Sequence, residues 1–307
     1  GLGDVYKRQG VVPALVLLVG MCFVPETPRW LLSKGRLKEC RKVLQKIEPE
    51  NTVNDLIGQM EVEIEKDRNS AVGWRYLMQP WLRTPLMIAV CIMFFQQFVG
   101  INTVIYYSPK IFLMAGFEST LSAIWASVGI GIVNVVFTVI SLYLVDRIGR
   151  RKLYFIGLSG IAFSVLCLSA CFIYANQLGE IGRWLMVIFM FGYVAFFAIS
   201  IGPLGWLVIS EIFPQKVRGL GTSIGSLAVW IFNCIVSFTF FKIIDFFSIP
   251  GTEIVVGQTT SENPAGAFFL YGFIAVLGLV WGYLFLPETK GLSLEEIEQK
   301  WRKNREC

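Results

Sequence analysis

Three side-chain amides, Gln96, Gln97 and Asn102, stand in the stretch FFQQFVGINTVIYY (Phe94–Tyr107), which Tyr106 and Tyr107 close. Amides donate and accept hydrogen bonds without carrying charge. Aromatic rings can cover apolar C–H edges. Together these groups suit a neutral polyhydroxy ligand. An ionic substrate calls for a buried arginine or carboxylate, and the run from Thr84 to Pro109 holds neither. A buried amide without a partner costs roughly 1–3 kcal/mol. Such residues in an apolar span therefore face a bundle interior or a water-filled cavity. The alternative is that they bond neighbouring helices as structural glue. Gln96 and Asn102 are six residues apart, about 240° around a regular helix. They share a face only if the helix relaxes between them, and Gly100 is placed to allow that. Broken helices of this kind line the midplane sites of secondary transporters.

Other spans carry weaker signals of the same type. In SIGPLGW (Ser200–Trp206), Gly202, Pro203 and Gly205 are expected to break a helix, because proline lacks a donor and clashes with the preceding turn. Trp206 follows at once. Asn134 is a lone amide in its span. Trp230 and Asn233 are three residues apart, on one helical face. Each alone is equally compatible with packing. Together they describe several spans turning polar or aromatic groups toward one interior.

The elements that carry these residues are membrane helices. The sequence is 55% hydrophobic and 16% charged, with a mean hydropathy of +0.61. Soluble domains are nearer a quarter charged. The charge-free runs Thr84–Pro109, Ser119–Val145, Leu153–Gly179, Trp184–Ser210, Leu220–Phe241 and Asn263–Pro287 are each long enough to cross a bilayer. Gly10–Pro25 is an abbreviated seventh. The net charge of +5 forms no single basic patch, so no nucleic-acid partner is expected. The seven cysteines show no disulfide framework. With no histidine, a histidine-containing metal site is excluded, and no cofactor is expected.

Basic residues mark the cytoplasmic face. The segment Val24–Arg83 holds eleven Lys/Arg, and that face in total holds 22 against 3 on the other. The long loop and the tail after Pro287 are therefore expected in the cytoplasm. Amphipathic helices are expected at Arg36–Glu48 and Asp55–Asp67, where apolar residues recur at helical spacing. Residues 1–9 are polar, abut the apolar run abruptly and do not resemble a signal peptide. The reading is of a fragment whose first nine residues are foreign, or of a genuine extracytoplasmic loop.

The motifs PETPRWL (Pro25–Leu31), QQFVGINTVIYY (Gln96–Tyr107), DRIGRRKL (Asp146–Leu153), GPLGWLVISEIFPQKVRG (Gly202–Gly219) and PETKGLSLEEIE (Pro287–Glu298) occur in one order. In this order the chain resembles the sugar porter family of the major facilitator superfamily. The resemblance covers nearly all residues after Gly10 and corresponds to the second half of a twelve-helix transporter. It implies an all-α, polytopic transmembrane bundle. Residues 10–25 would be the end of helix six and 26–83 the central cytoplasmic loop. Residues 84–287 would form the six-helix C-terminal domain and 288–307 a cytoplasmic tail, with the N-terminal half missing.

The resemblance also implies roles. Gln96, Gln97, Asn102 and Asn134 would bind sugar hydroxyls, and Tyr106 would join them or gate the extracytoplasmic side. Trp206, Trp230 and Asn233 match positions near the sugar. Ala198 stands where many animal glucose transporters have a glutamate, a departure that weakens assignment to the animal branch and leaves a microbial symporter-like member open. Asp146, Arg147, Arg150, Arg151, Glu211 and Arg218 would form charge pairs across cytoplasmic helix ends, closing that side in the outward-open state. Glu26 and Arg29 with Glu288 would belong to the same latch.

The implied activity is alternating-access transport of a hexose, pentose or polyol, by uniport or proton symport, in a plasma or bacterial inner membrane. The partners are then a small neutral sugar, protons in coupled members, and lipid. A sugar-sensing protein that does not transport, or a channel, is the alternative. Channels show filters or charged rings, and none stands out. An enzyme needs acids, bases, nucleophiles or metal ligands near the spans. The carboxylates here cluster at cytoplasmic helix ends, which fits gating.

Overall fold

The structure is a computed structural model of the full chain and describes residues 11–69, 77–117, 119–214, 217–247, 254–256, 259–261 and 263–291. The readings of residues 1–9 and of the tail beyond 291 lie outside these. The chain falls into two compact units that divide between Ala71 and Val72.

In the first unit, α1 (Val11–Phe23) is a short apolar helix with its large side chains exposed. Helix α2 (Pro28–Ser33) starts at Thr27, whose hydroxyl accepts the Trp30 amide, and proline occupies its first turn, where no backbone donor is needed. Helices α3 (Leu37–Leu44) and α4 (Glu50–Asn69) follow. Leu31, Cys40, Leu44, Val53 and Ile57 form their shared core. The stripe predicted from Arg36 to Glu48 is thus buried at Cys40 and Leu44, whereas Ile47, beyond the helix end, is exposed. Burial pushes the Cys40 thiol up. The hydrogen bond from Arg36 pulls the Glu39 carboxyl down.

The second unit is a helical bundle. Among the described residues, six helical segments are long and apolar enough to cross a membrane, and the protein is an integral, multi-pass membrane protein. Two of the six are discontinuous. The first comprises α5 (Arg83–Phe98) and α6 (Ile101–Met114). Then come α7 (Thr120–Ile148) and α8 (Arg150–Ile173). The second discontinuous span comprises α9 (Ala175–Ile199), itself kinked at Gly179 (φ +53°, ψ −127°), and α10 (Ile201–Ile212). Helices α11 (Arg218–Phe246) and α12 (Ala265–Phe285) complete the unit. A short antiparallel hairpin, Ile254–Val256 with Thr259–Ser261, is the one departure from helix among the described elements.

Helix α8 is the centre of packing, against α9 and α12, and α5 packs on α11. The core is aliphatic and aromatic, with Tyr154, Tyr193 and Tyr271 fully buried.

Candidate functional site

The junctions between α5 and α6 and between α9 and α10 each have a local cause. Gly100 has φ +86°, a left-handed conformation that side-chain-bearing residues rarely adopt. A Cβ there would lie 2.3 Å from the Tyr271 ring, so the position excludes a side chain twice over. The second break falls at Ser200, with φ −127° and ψ −101°. Ser200 lies in the turn that precedes Pro203, whose missing N–H and ring oppose a continuous helix there, so the expected interruption within Ser200–Trp206 is present, three residues before the proline. Pro203 itself sits in the first turn of α10, where its missing N–H is harmless. Gly205 leaves room for an amide, since a Cβ there would lie 3.0 Å from Gln96 Nε2.

The breaks bring the amides into one directional chain. Asn102 Nδ2 donates to Gln97 Oε1 at 2.6 Å, across Gly100. Gln97 Nε2 donates to Gln96 Oε1 at 3.2 Å. Gln96 Nε2 donates to the carbonyls of Ile201 and Gly202, at 3.1 and 2.7 Å. These amides therefore bond one another and α10 as well as facing open space. Gln96 and Gln97 are nearly inaccessible, while Asn102 is half-buried.

A cavity of about 280 Å³ opens beside this chain. Gln96, Gln97, Asn102, Asn134, Ala198 and Trp206 line it, together with Thr138, Phe197 and Val229. None of its lining residues is ionisable. Thr138 and Phe197 were not singled out from the sequence. Thr138 lies one turn after Asn134 and donates to its Oδ1 at 3.2 Å, a spacing that could have found it. Phe197 precedes the Ser200 break and carries no such signal.

The remaining predicted residues lie elsewhere. Tyr106 and Asn233 meet each other, with Asn233 Nδ2 donating to the Tyr106 hydroxyl at 3.4 Å. Ser237 donates to Asn233 Oδ1 at 3.0 Å. This second cluster links α6 to α11 and is not part of the cavity lining. Trp230 is 67% exposed and Trp206 is 47% exposed. Trp206 reaches the cavity, whereas on α11 it is Val229 rather than Trp230 that does so.

The charged residues gather at the far end of α10. Arg150 Nη2 pairs with Glu211 Oε1 at 2.8 Å, and Arg150 Nη1 lies 3.4 Å from Asp146. Thr289 donates to the other Glu211 oxygen at 2.5 Å. Glu288 accepts the backbone amides of Arg150 and Arg151 at 3.0 and 3.2 Å, capping α8 from another part of the chain. A carboxylate there also meets the positive end of the helix dipole. Arg151 turns away from Glu211 and donates to the Tyr283 carbonyl. Arg147 contributes its carbonyl to Lys290. Arg218 makes no ion pair among the described residues, and its Nε and Nη2 are buried without a hydrogen-bond partner. Glu26 and Arg29 belong to the first unit, flanking the start of α2.

Comparisons with known proteins agree with this architecture. Residues 7–301 match the family model described as "Sugar (and other) transporter". The chain is 36% identical over 293 residues to the "Probable metabolite transport protein CsbC" of Bacillus subtilis, covering 95% of this chain and 59% of that protein. It is 36% identical over 292 residues to the "Glucose transporter GlcP" of Staphylococcus epidermidis, covering 95% and 61%. Among solved structures, a proton:xylose symporter of the major facilitator superfamily, bound to 6-bromo-6-deoxy-D-glucose, superposes with a TM-score of 0.71 at 33% identity. That match covers 95% of this chain and 58% of the symporter. The chain thus spans about three-fifths of the length of the relatives it matches.

Proposed function

Because the chain belongs to the sugar transporter family of the major facilitator superfamily, we propose that it contributes one half of a carrier for a neutral monosaccharide or polyol. The observation that carries this reading is the uncharged, amide-lined cavity between two broken spans. Gln97 and Asn102 can exchange the bond between them, and Asn134 the bond it accepts from Thr138, for bonds to ligand hydroxyls, since an amide both donates and accepts. Trp206 offers a ring to the C–H edges. Gln96, with its N–H groups directed to α10, ties the two broken spans together and contacts ligand through its remaining lone pair. Tyr106 and Asn233 then act as a tie between α6 and α11 on the extracytoplasmic side, and Trp230 faces the other half of the carrier.

The charged cluster around Arg150, Glu211 and Glu288 serves as the cytoplasmic latch, with Asp146, Arg147, Arg151 and Arg218 around it. Its placement on the cytoplasmic side, with the tail, follows from the excess of Lys/Arg in those loops. Alternating access would rock this half against its partner around the site.

The test is counterflow in proteoliposomes containing the intact transporter. Saturable exchange of radiolabelled hexoses, pentoses or polyols, blocked by excess unlabelled ligand, is the expected result. Flux that rises linearly with concentration and shows no exchange would point to a channel and overturn the reading.

A further inference from the structure

The break between α5 and α6 needs partners of its own. In an uninterrupted helix the Val99 carbonyl would accept the amide of Thr103, four residues on. Here the Thr103 amide bonds the Gly100 carbonyl at 3.1 Å, and the Thr103 hydroxyl bonds it too at 2.6 Å. The Val99 carbonyl is left without its helical donor inside a buried bundle, where an unmet backbone group is costly. The hydroxyl of Tyr193, on α9, donates to it at 2.7 Å. Tyr193 is wholly buried and does not line the cavity. Across the break, the Tyr271 ring of α12 fills the volume that a side chain at position 100 would require.

We propose that Tyr193 is a positioning residue for the sugar site. Its hydroxyl satisfies the carbonyl that the discontinuity frees, and so keeps Asn102 in reach of Gln97. Without that hydroxyl, the Val99 carbonyl regains a donor by reclaiming the Thr103 amide. That rewinding carries Asn102 toward its regular helical direction, away from Gln97. The inference rests on the sugar-site reading above. Tyr154 supplies the matched comparison. It too is fully buried, and its hydroxyl donates to a helix carbonyl, that of Gly278, at 2.9 Å. Gly278 lies within α12, outside the amide chain.

The experiment uses Tyr193→Phe, Tyr154→Phe, Asn102→Ala and the double variant Tyr193→Phe/Asn102→Ala in the intact, transport-competent protein. Transport KM, kcat and thermal unfolding are measured for each. Both tyrosine variants should unfold at lower temperature. Only Tyr193→Phe should raise KM, by about two- to tenfold, with kcat little changed. The double variant should be no worse than Asn102→Ala alone, because Tyr193 acts through Asn102. A Tyr193→Phe protein with the parent KM overturns the inference. So does a KM loss that multiplies with that of Asn102→Ala, or an equal KM loss in Tyr154→Phe. If Asn102→Ala itself leaves KM unchanged, the sugar-site reading fails, and this inference with it.

Discussion

Asn102 donates to Gln97 at 2.6 Å although the two are five positions apart and a helix break lies between them. The pair is short because Gly100 reverses the sign of φ between them. Each amide keeps hydrogen-bonding capacity free for a ligand while paying little for its own burial. Replacing either Asn102 or Gln97 by alanine should therefore weaken sugar binding without preventing membrane insertion. A bond to a neutral group is worth about 0.5–1.5 kcal/mol, or roughly two- to tenfold in affinity. Equilibrium binding of labelled sugar measures it, and parental affinity in both variants would remove these amides from the site.

Gln96 should behave differently. Its amide nitrogen serves two carbonyls of α10, and its oxygen serves Gln97. Gln96→Ala removes the link between the two broken spans and leaves a buried donor on Gln97 short of its acceptor. The expected loss is in stability as well as affinity, on the order of 1–3 kcal/mol. Thermal unfolding in detergent should show a larger drop for Gln96→Ala than for Asn102→Ala. Equal drops would mean that the contact to α10 carries no weight.

Gly100→Ala should be the most damaging single change in this span. A positive φ costs an alanine about 1–2 kcal/mol, and the new Cβ would also meet the Tyr271 ring. Correct insertion with lost sugar binding is the expected outcome. A variant that binds as the parent does would show that the break is not needed to assemble the amides.

How much of this arrangement could be read from residues alone depended on whether the cause was local. The six spans were legible because charge cannot sit in lipid, so the charge-free runs match the helices closely. The break at Gly100 was legible because two amides on opposite faces made a regular helix an uneconomical arrangement. The second break was legible from Pro203, which disrupts the turn before it, but only the structure fixes the break at Ser200. Trp230 and Val229 are neighbours in sequence, and which of them meets the cavity depends on the rotation of α11, set by its packing on α5. Glu288 as a cap for α8 joins residues 138 positions apart, and no local pattern encodes such a contact.

That cap yields its own expectation. Glu288 satisfies two amides at the start of α8, a service ordinarily worth about 0.5–2 kcal/mol. Glu288→Gln keeps one acceptor and loses the charge, so its stability should fall between those of the parent and Glu288→Ala. Melting temperatures for the three proteins decide this, and indistinguishable values would deny the cap any energetic role.

The pairing of Arg150 with Glu211 sets the last expectation. Helix α10 carries Trp206 in the cavity lining and Glu211 in its final turn, so one twelve-residue helix joins the site to the charged cluster. The pair is largely shielded, with the Arg150 side chain 13% exposed and that of Glu211 21% exposed. Hydrogen bonds to charged groups in such settings contribute about 1.5–3 kcal/mol. Exposed pairs contribute less, and among the described residues the Arg151 guanidinium donates to the Tyr283 carbonyl and pairs with no carboxylate. In a carrier whose two states are nearly balanced, 1–3 kcal/mol shifts their ratio by about 5- to 150-fold. Arg150→Ala should therefore open the charged end far more than Arg151→Ala does. A cysteine placed at Ser210, beside Glu211, reports this through its rate of labelling from that side. Faster labelling in Arg150→Ala, with sugar affinity altered only by the shift in populations, supports the latch. Equal labelling in the two arginine variants would show that the pair does not hold that end closed.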